Sequence, residues 1–162
     1  MARALIVGCG CRGRELGGRL RERDWLVRGT SRGDAGLAAI EAAGLERARA
    51  DPDRPGTVLE LCGDVGVVVW LLGSAAGERE ALAAIHGPRL ERLLERLVDS
   101  PVRGFAYEAG GKVPAELLAF GREIVERAAR TWRIPVAIIE GERSAEGWAD
   151  SAAGRVARLL AG

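Results

Sequence analysis

The feature that most constrains the fold of this chain is a glycine-rich turn close to the N-terminus. The apolar run Ala4–Val7 leads into G-C-G-C-R-G, and a polar, amphipathic segment follows at once. The spacing G-x-G-x-x-G predicts a strand, a turn and a helix start. Gly8 permits the tight turn, Gly10 permits close approach of a pyrophosphate to the backbone, and Gly13 permits close helix packing. The N–H groups and the dipole at such a helix start favour binding of an anion.

Apolar runs alternate with helical patterns along the rest of the chain. Strands are predicted at Ala4–Val7, Trp25–Arg28, Leu45–Ala50, Val65–Leu72, Val102–Tyr107 and Ile134–Ile139. Helices are predicted up to about Arg23, over Ala35–Ala43, Thr57–Cys62, Glu78–Ile85 and Pro88–Val98, from Pro114 to about Trp132, and from about Ala145 to Leu160. The fourth strand lacks alternation, which favours burial on both faces.

Strands that alternate with helices pair in parallel through right-handed crossovers. We therefore predict an α/β fold in which residues 1–162 form a single domain. Its expected architecture is a three-layer doubly wound parallel sheet with strand order 3-2-1-4-5-6 and helices on both faces. Ligands are then expected at the carboxyl ends of the strands, near the switch between strands one and four.

Composition narrows the classes of partner. A net charge of +1 gives no overall attraction to nucleic acid or to an anionic membrane, and four Trp, two Phe and one Tyr leave little for base stacking. Cys9, Cys11 and Cys62 form no C-x-x-C pair and His86 is the only histidine, so we expect no metal site. The N-terminal apolar run is too short to span a membrane, and unpaired thiols favour a cytoplasmic protein.

The end of the second strand carries hydroxyls and a cation. Thr30, Ser31 and Arg32 stand about twenty residues past the glycines, where an Asp or Glu would bind the ribose of NAD. Two hydroxyls and a guanidinium suit a 2′-phosphate, so NADP is favoured over NAD. Arg12 is expected to add a second cation near that phosphate. Asp34 is expected to cap the next helix rather than to bind ribose.

Four segments together carry a family resemblance: L-I-V-G-C-G-C-R-G-R-E-L, V-R-G-T-S-R, the Asp51 turn and R-I-P-V-A-I-I-E-G-E. They resemble the NAD(P)-binding short-chain dehydrogenases/reductases, in particular the atypical or extended group that includes nucleotide-sugar epimerases. The resemblance implies that Asp51 lies near the adenine amino group and that residues 72–74 lie beside the nicotinamide ribose. The expected cofactor-binding residues are Gly8, Gly10, Cys11, Arg12, Gly13, Thr30, Ser31, Arg32, Asp51, Leu72, Gly73 and Ser74.

The catalytic half of the family pattern is missing from the sequence. The family uses a Ser after strand five and a Tyr-x-x-x-Lys on the following helix. Here residues 106–111 contain no Ser, and the only Tyr and the only Lys, Tyr107 and Lys112, are five positions apart. The turn also departs from the G-x-x-G-x-x-G that is usual in extended members.

Three hypotheses therefore stay open. The first is an NADP(H)-binding protein without standard reductase catalysis, in a regulatory or partner-dependent role. The second is a small oxidoreductase or epimerase-like enzyme with a non-standard site around Tyr107, Glu108 and Lys112. The third keeps the fold without the cofactor. Apolar helices such as Pro88–Val98 also allow a homodimer.

Other polar residues are expected to be structural. We favour a packed phenol, a solvated carboxylate and a surface amine for the three catalytic candidates. His86 is expected to cap a helix or to lie in a loop. Glu140, Glu142 and Arg143 are expected to form a solvated rim. Cys9 and Cys11 are expected to fill the turn, although a helix start lowers the pKa of a nearby thiol.

Overall fold

The computed structural model describes residues 1–161, in which short strands alternate with helices. The strands are β1 Arg3–Val7, β2 Leu26–Ser31, β3 Glu46–Arg49, β4 Val67–Trp70, β5 Gly104–Glu108 and β6 Val136–Ile139. The helices are α1 Cys11–Glu22, α2 Asp34–Ala42, α3 Pro55–Leu59, α4 Arg79–Ile85, α5 Pro88–Leu97, α6 Ala115–Trp132 and α7 Trp148–Arg158.

The strands form one parallel sheet in the order β3-β2-β1-β4-β5-β6, so the predicted architecture is confirmed. β1 pairs with both β2 and β4, and Ile6 faces Gly29 on one side and Val69 on the other. The direction in which the chain adds strands reverses at this point. Every residue of β4 is buried, which agrees with its unbroken apolar sequence.

Two apolar layers hold the helices on the sheet. One face is covered by α1, α2 and α7, and the other by α3, α4, α5 and α6. On α5, four leucines recur at helical spacing and all are buried: Leu90, Leu93, Leu94 and Leu97. Burial of each side chain stabilises the fold by roughly 1.5–3 kcal/mol. The indole Nε1 of buried Trp70 donates to the carbonyl oxygen of Ile85 at 3.1 Å. Among residues 1–161, no helix combines the length and apolarity needed to cross a membrane.

The second strand is longer than predicted, and this changes the setting of its polar end. β2 continues past Arg28 to Ser31 because Thr30 and Ser31 pair with β3. The helix after it begins at Asp34 with Gly33 as its N-cap, so the prediction that Asp34 caps this helix is wrong. The Asp34 carboxylate instead forms an ion pair with Arg49 of β3.

The last helix begins later than predicted. α7 starts at Trp148 rather than near Ala145, because Gly147 adopts a left-handed conformation with φ of +80°. The chain between β6 and α7 is therefore a loop. Arg143 belongs to this loop and forms an ion pair with Glu108 at the end of β5.

Candidate functional site

A cleft of about 470 Å³ opens at the carboxyl ends of β1, β2, β3 and β4. This is the switch point of the sheet, where doubly wound folds bind their ligands. The volume falls within the range of small-molecule pockets, roughly 300–1,000 Å³. The cleft is lined by Gly8, Cys9, Gly10, Arg14, Thr30, Ser31, Arg32, Gly36, Ala50, Asp51, Pro52, Asp53, Leu71, Leu72, Ser74, Ala75, Ala76, Ala81, Leu82, Ile85 and Arg143.

The glycine turn forms one wall of the cleft. Gly8 and Gly10 differ in the physical reason for having no side chain. Gly8 has a φ of +88°, and a Cβ there would stand 2.6 Å from the carbonyl oxygen of Leu71. Gly10 is in an extended conformation. Apart from its chain neighbours, no atom of residues 1–161 lies within 4 Å of where a Cβ of Gly10 would stand. Packing within the chain thus requires glycine at position 8, whereas Gly10 lines the cleft and has open space at its Cβ position.

The N-terminus of α1 faces the same space. Gly10 is its N-cap, and the first helical hydrogen bond runs from Arg14 N–H to the carbonyl oxygen of Gly10 at 2.8 Å. The N–H groups before Arg14 have no acceptor within the helix, and the first turn carries no acidic residue. The half-buried Arg14 lines the cleft beside them. Backbone donors, the helix dipole and a guanidinium therefore combine at one anion-binding corner.

The end of β2 forms a second polar corner. Thr30 is buried, Ser31 is half-buried, and Arg32 is exposed at the rim. The Ser31 hydroxyl accepts a hydrogen bond from Gly33 N–H at 3.3 Å, which holds the turn into α2. Arg49 donates to the carbonyl oxygen of Arg32 at 2.6 Å, so a second guanidinium lies next to this corner.

Most of the residues predicted to bind the cofactor come together in the cleft. Eight of them line it: Gly8, Gly10, Thr30, Ser31, Arg32, Asp51, Leu72 and Ser74. Four are not among the lining residues: Cys11, Arg12, Gly13 and Gly73. Gly13 is buried beneath the turn, where a Cβ would stand 3.2 Å from the carbonyl oxygen of Gly8.

Arg12, the expected second cation, is not among the lining residues of the cleft. Its guanidinium pairs with Glu15 at 2.6 Å on the surface of α1. Residues two apart on a helix are rotated by about 200° around its axis and so lie on nearly opposite sides, and it is Arg14 that lines the cleft. The helix start was predicted correctly, and this rotation was the signal that would have identified Arg14.

The largest correction concerns Glu108 and Arg143, which were expected to be solvated. The Glu108 side chain is 1% exposed. Its carboxylate accepts hydrogen bonds from Arg143 Nε and Nη2, each at 2.7 Å, and from Gly73 N–H at 2.8 Å. Arg143 Nη2 also donates to the carbonyl oxygen of Leu71 at 3.1 Å. A carboxylate at the covered end of β5 needs such partners, because an unpaired buried charge is costly. The remaining rim residues, Glu140 and Glu142, are exposed.

Tyr107 packs on the opposite face of β5 from Glu108, since side chains alternate along a strand. It is fully buried, and its hydroxyl lies 2.7 Å from His86 Nδ1. His86 Nε2 lies 2.9 Å from the carbonyl oxygen of Leu72. A carbonyl only accepts, so Nε2 carries the proton and Tyr107 donates to Nδ1. Burial lowers the pKa of His86 and raises that of Tyr107.

The three catalytic candidates thus lie in three different environments. The phenol of Tyr107 is engaged by His86, the carboxylate of Glu108 is engaged by Arg143, and the side chain of Lys112 is exposed. None of the three is a lining residue of the cleft. The packed phenol and the surface amine agree with the structural interpretation, and the solvated carboxylate does not.

The thiols are all free, and they differ in exposure. Cys9 lines the cleft but is buried, and burial raises its pKa to about 12 although Arg14 acts in the opposite direction. Burial also raises the pKa of Cys62 to about 11. The helix start therefore does not activate Cys9. Within residues 1–161, no three His, Cys, Asp or Glu side chains group closely enough to hold a metal ion.

Comparison with known proteins identifies the fold. No family model matches the chain, and no curated protein sequence matches it. A putative short-chain dehydrogenase/reductase from Corynebacterium glutamicum superposes with a TM-score of 0.69 and 20% identity, over 98% of this chain and 92% of that one. This is a Rossmann fold.

Two further solved structures carry dinucleotides. The triphenylmethane reductase of Citrobacter sp., complexed with NADP(H), has a TM-score of 0.64 and 16% identity over 85% of this chain and 49% of that one. UDP-glucose 4-epimerase from Brucella ovis, in complex with NAD, has a TM-score of 0.68 and 9% identity over 86% and 51%. The chain thus spans about half the length of these two proteins. At such identities the similarity shows the fold, and it agrees with the resemblance found in the sequence.

Proposed function

We propose that this chain is an NADP(H)-binding Rossmann protein with a cofactor-binding or regulatory role, lacking the standard catalytic set of short-chain reductases. The observation that carries the proposal is the empty space beside Gly10, at the helix start and at the switch point of the sheet. A close-lying pyrophosphate explains a glycine that packing does not require.

The residues of the cleft fit the parts of NADP(H). The Gly8–Gly10 turn, the first N–H groups of α1 and Arg14 would hold the pyrophosphate. Thr30, Ser31 and Arg32 would hold the 2′-phosphate, and Asp51 would lie near the adenine. When bound, the cofactor supplies a nicotinamide that exchanges a hydride. The reductase and the epimerase that carry NADP(H) and NAD support a dinucleotide as the class of ligand.

Charge favours NADP over NAD. The end of β2 presents Arg32, and Arg49 lies against its backbone. The nearest downstream carboxylate, Asp34, pairs with Arg49 from the first turn of α2. A 2′-phosphate would therefore meet guanidinium groups at the position where NAD-binding folds offer an acidic residue to the ribose.

The test compares two cofactors on one variant. Arg32→Ala removes a charge-assisted contact, so NADPH affinity is expected to fall about 10- to 100-fold while NADH affinity changes less than about threefold. Titration calorimetry measures both dissociation constants. Arg47→Ala, which removes an exposed arginine of β3 paired with Glu41 outside the cleft, is the matched control. Equal losses for both cofactors would contradict the phosphate assignment, and absence of binding by the unmodified protein would contradict the proposal.

Lack of standard catalysis is part of the same proposal. It is supported by the engagement of Tyr107 with His86 and of Glu108 with Arg143. NADPH oxidation is measured with aldehydes, ketones and nucleotide sugars, and no turnover is expected. Turnover that Tyr107→Phe abolishes would favour the enzymatic alternative. We also propose a cytoplasmic location, which free thiols support.

A further inference from the structure

The carboxyl edge of the sheet has two halves, and they are not equally open. A doubly wound dinucleotide fold consists of two mononucleotide-binding halves on either side of the switch point. The cleft reaches the ends of all three strands of the first half, at Gly8, Thr30 and Ala50. In the second half it reaches residues 71–76 after β4, but neither β5 nor residues 109–113 are among its lining residues.

Arg143 lies across the closed half. It comes from the loop after β6, bonds to Glu108 at the end of β5, and reaches the carbonyl oxygen of Leu71 after β4. One guanidinium therefore connects the carboxyl ends of three adjacent strands. Arg143 also lines the cleft, so this pair forms a wall of the cleft inside the second half, between the ends of β4 and β5.

The loops after β4 and β5, which lie behind the Glu108–Arg143 pair, are in close contact. A methyl group at Gly73 would overlap the carbonyl oxygen of Gly110, so the loops after β4 and β5 are in backbone contact. Val113 N–H donates to the carbonyl oxygen of Gly73 at 2.9 Å, and Lys112 N–H donates to Ser74 Oγ at 3.1 Å. These contacts close the cleft on the side of β5. Ala109, Gly110, Gly111 and Val113 instead line a separate pocket of about 310 Å³ against α6, which shares no lining residue with the cleft.

From this arrangement we infer that the Glu108–Arg143 pair closes the nicotinamide half of the cleft, so that the site recognises its ligand by the adenosine 2′,5′-bisphosphate end. The inference rests on the proposed NADP(H) site and adds which part of the cofactor supplies the affinity. The anion corner at α1 and the polar corner at β2 both lie in the open half. The nicotinamide mononucleotide end of NADPH then projects into water and adds little to binding.

The first test uses the unmodified protein. Titration calorimetry with NADPH and with 2′,5′-ADP is expected to give dissociation constants within about threefold of each other. The emission of bound NADPH, excited at the nicotinamide, is expected to match that of free NADPH. A dissociation constant for NADPH about tenfold or more below that for 2′,5′-ADP would overturn the inference and leave the cofactor proposal intact. If neither compound binds, the cofactor proposal itself fails.

The second test opens the closed half. A Glu108→Gln, Arg143→Ala double variant removes both charges together and keeps an amide oxygen for Gly73 N–H. The affinity for NADPH relative to that for 2′,5′-ADP is expected to rise about threefold to tenfold. An unchanged ratio of the two affinities would contradict the inference. A fall in the relative affinity for NADPH would also contradict it, because Arg143 would then be a contact for the cofactor.

A matched control removes an exposed pair at the same edge of the sheet. Arg122 Nη1 and Glu140 Oε1 are 2.5 Å apart, on α6 and directly after β6. The variant Arg122→Ala, Glu140→Gln is expected to leave the ratio at the unmodified value. Circular dichroism checks that each variant is folded, and the comparison on the unmodified protein decides the inference if the double variant does not fold.

Discussion

β1 and β4 both end in glycine-containing turns that border the cleft, yet Gly10 after β1 has open space where a side chain would stand and Gly73 after β4 has none. After β1, Gly10 lines the cleft, and apart from its chain neighbours no atom of residues 1–161 lies within 4 Å of where its Cβ would stand. After β4, the equivalent position at Gly73 is occupied by the carbonyl group of Gly110 and by Glu108. A glycine after a parallel strand is thus not by itself a sign of a binding site. What distinguishes the two is whether the chain or empty space lies beside the missing side chain.

The largest expected effect is a loss of stability from a substitution in the closed half of the sheet edge, at Gly73. Gly73→Ala would drive a methyl group into backbone, which has little freedom to move, and would disturb the N–H bond to Glu108. We expect a loss of about 3 kcal/mol in the free energy of unfolding, at the upper end of overpacking effects. Urea denaturation measures it. A loss below about 1 kcal/mol would show that the two loops separate easily, and the contrast between the halves would weaken.

A smaller effect on stability is expected when the pH is lowered, because protonation of His86 disrupts its hydrogen bonds behind the closed half. Burial lowers the pKa of this histidine, the only one in the chain, whereas a histidine in an unfolded chain titrates near pH 6.5. Below pH 6.5 the unfolded state therefore binds more protons, and the free energy of unfolding falls as pH falls toward the lower, folded pKa. We expect a loss of about 1 kcal/mol between about pH 7 and pH 5.

His86→Gln identifies the source of this slope. The variant cannot titrate, and its amide can still donate to the carbonyl oxygen of Leu72. Its free energy of unfolding is expected to stay nearly constant over the same window, above the range in which ordinary carboxylates titrate. Equal slopes in both proteins would assign the pH dependence to other groups.

The smallest expected change in stability is in the open half. Gly10→Ala places a methyl group in empty space, and the poorer N-cap is offset by the reduced flexibility of the unfolded chain. We expect a change in unfolding free energy within about 0.5 kcal/mol, together with a loss of NADPH affinity of about tenfold. Parallel denaturation and calorimetry measure the two quantities. Unchanged affinity would remove the main support for the cofactor site.

The sequence predicted those features of the fold and of the site that depend on residues close together along the chain. The strand order, the glycine turn and the corner at Thr30–Arg32 follow from periodicity and from residues close together in sequence. The Glu108–Arg143 pair joins residues separated by 35 positions, and both side chains resemble ordinary surface residues in sequence. The partner of His86 was equally hidden, because alternation predicts which face Tyr107 occupies but not which side chain it meets.

The indole of Trp70 gives this fold a built-in optical signal. It ends the buried strand β4, one residue before the cleft-lining Leu71, and is held in place by the carbonyl oxygen of Ile85. Tryptophan emission overlaps the absorption of a reduced nicotinamide, and the efficiency of energy transfer depends steeply on separation. The chain has three other tryptophans, so the part of the transfer that a Trp70→Phe variant loses reports how far the nicotinamide ring of a bound cofactor lies from the centre of the sheet, without any label added to the protein.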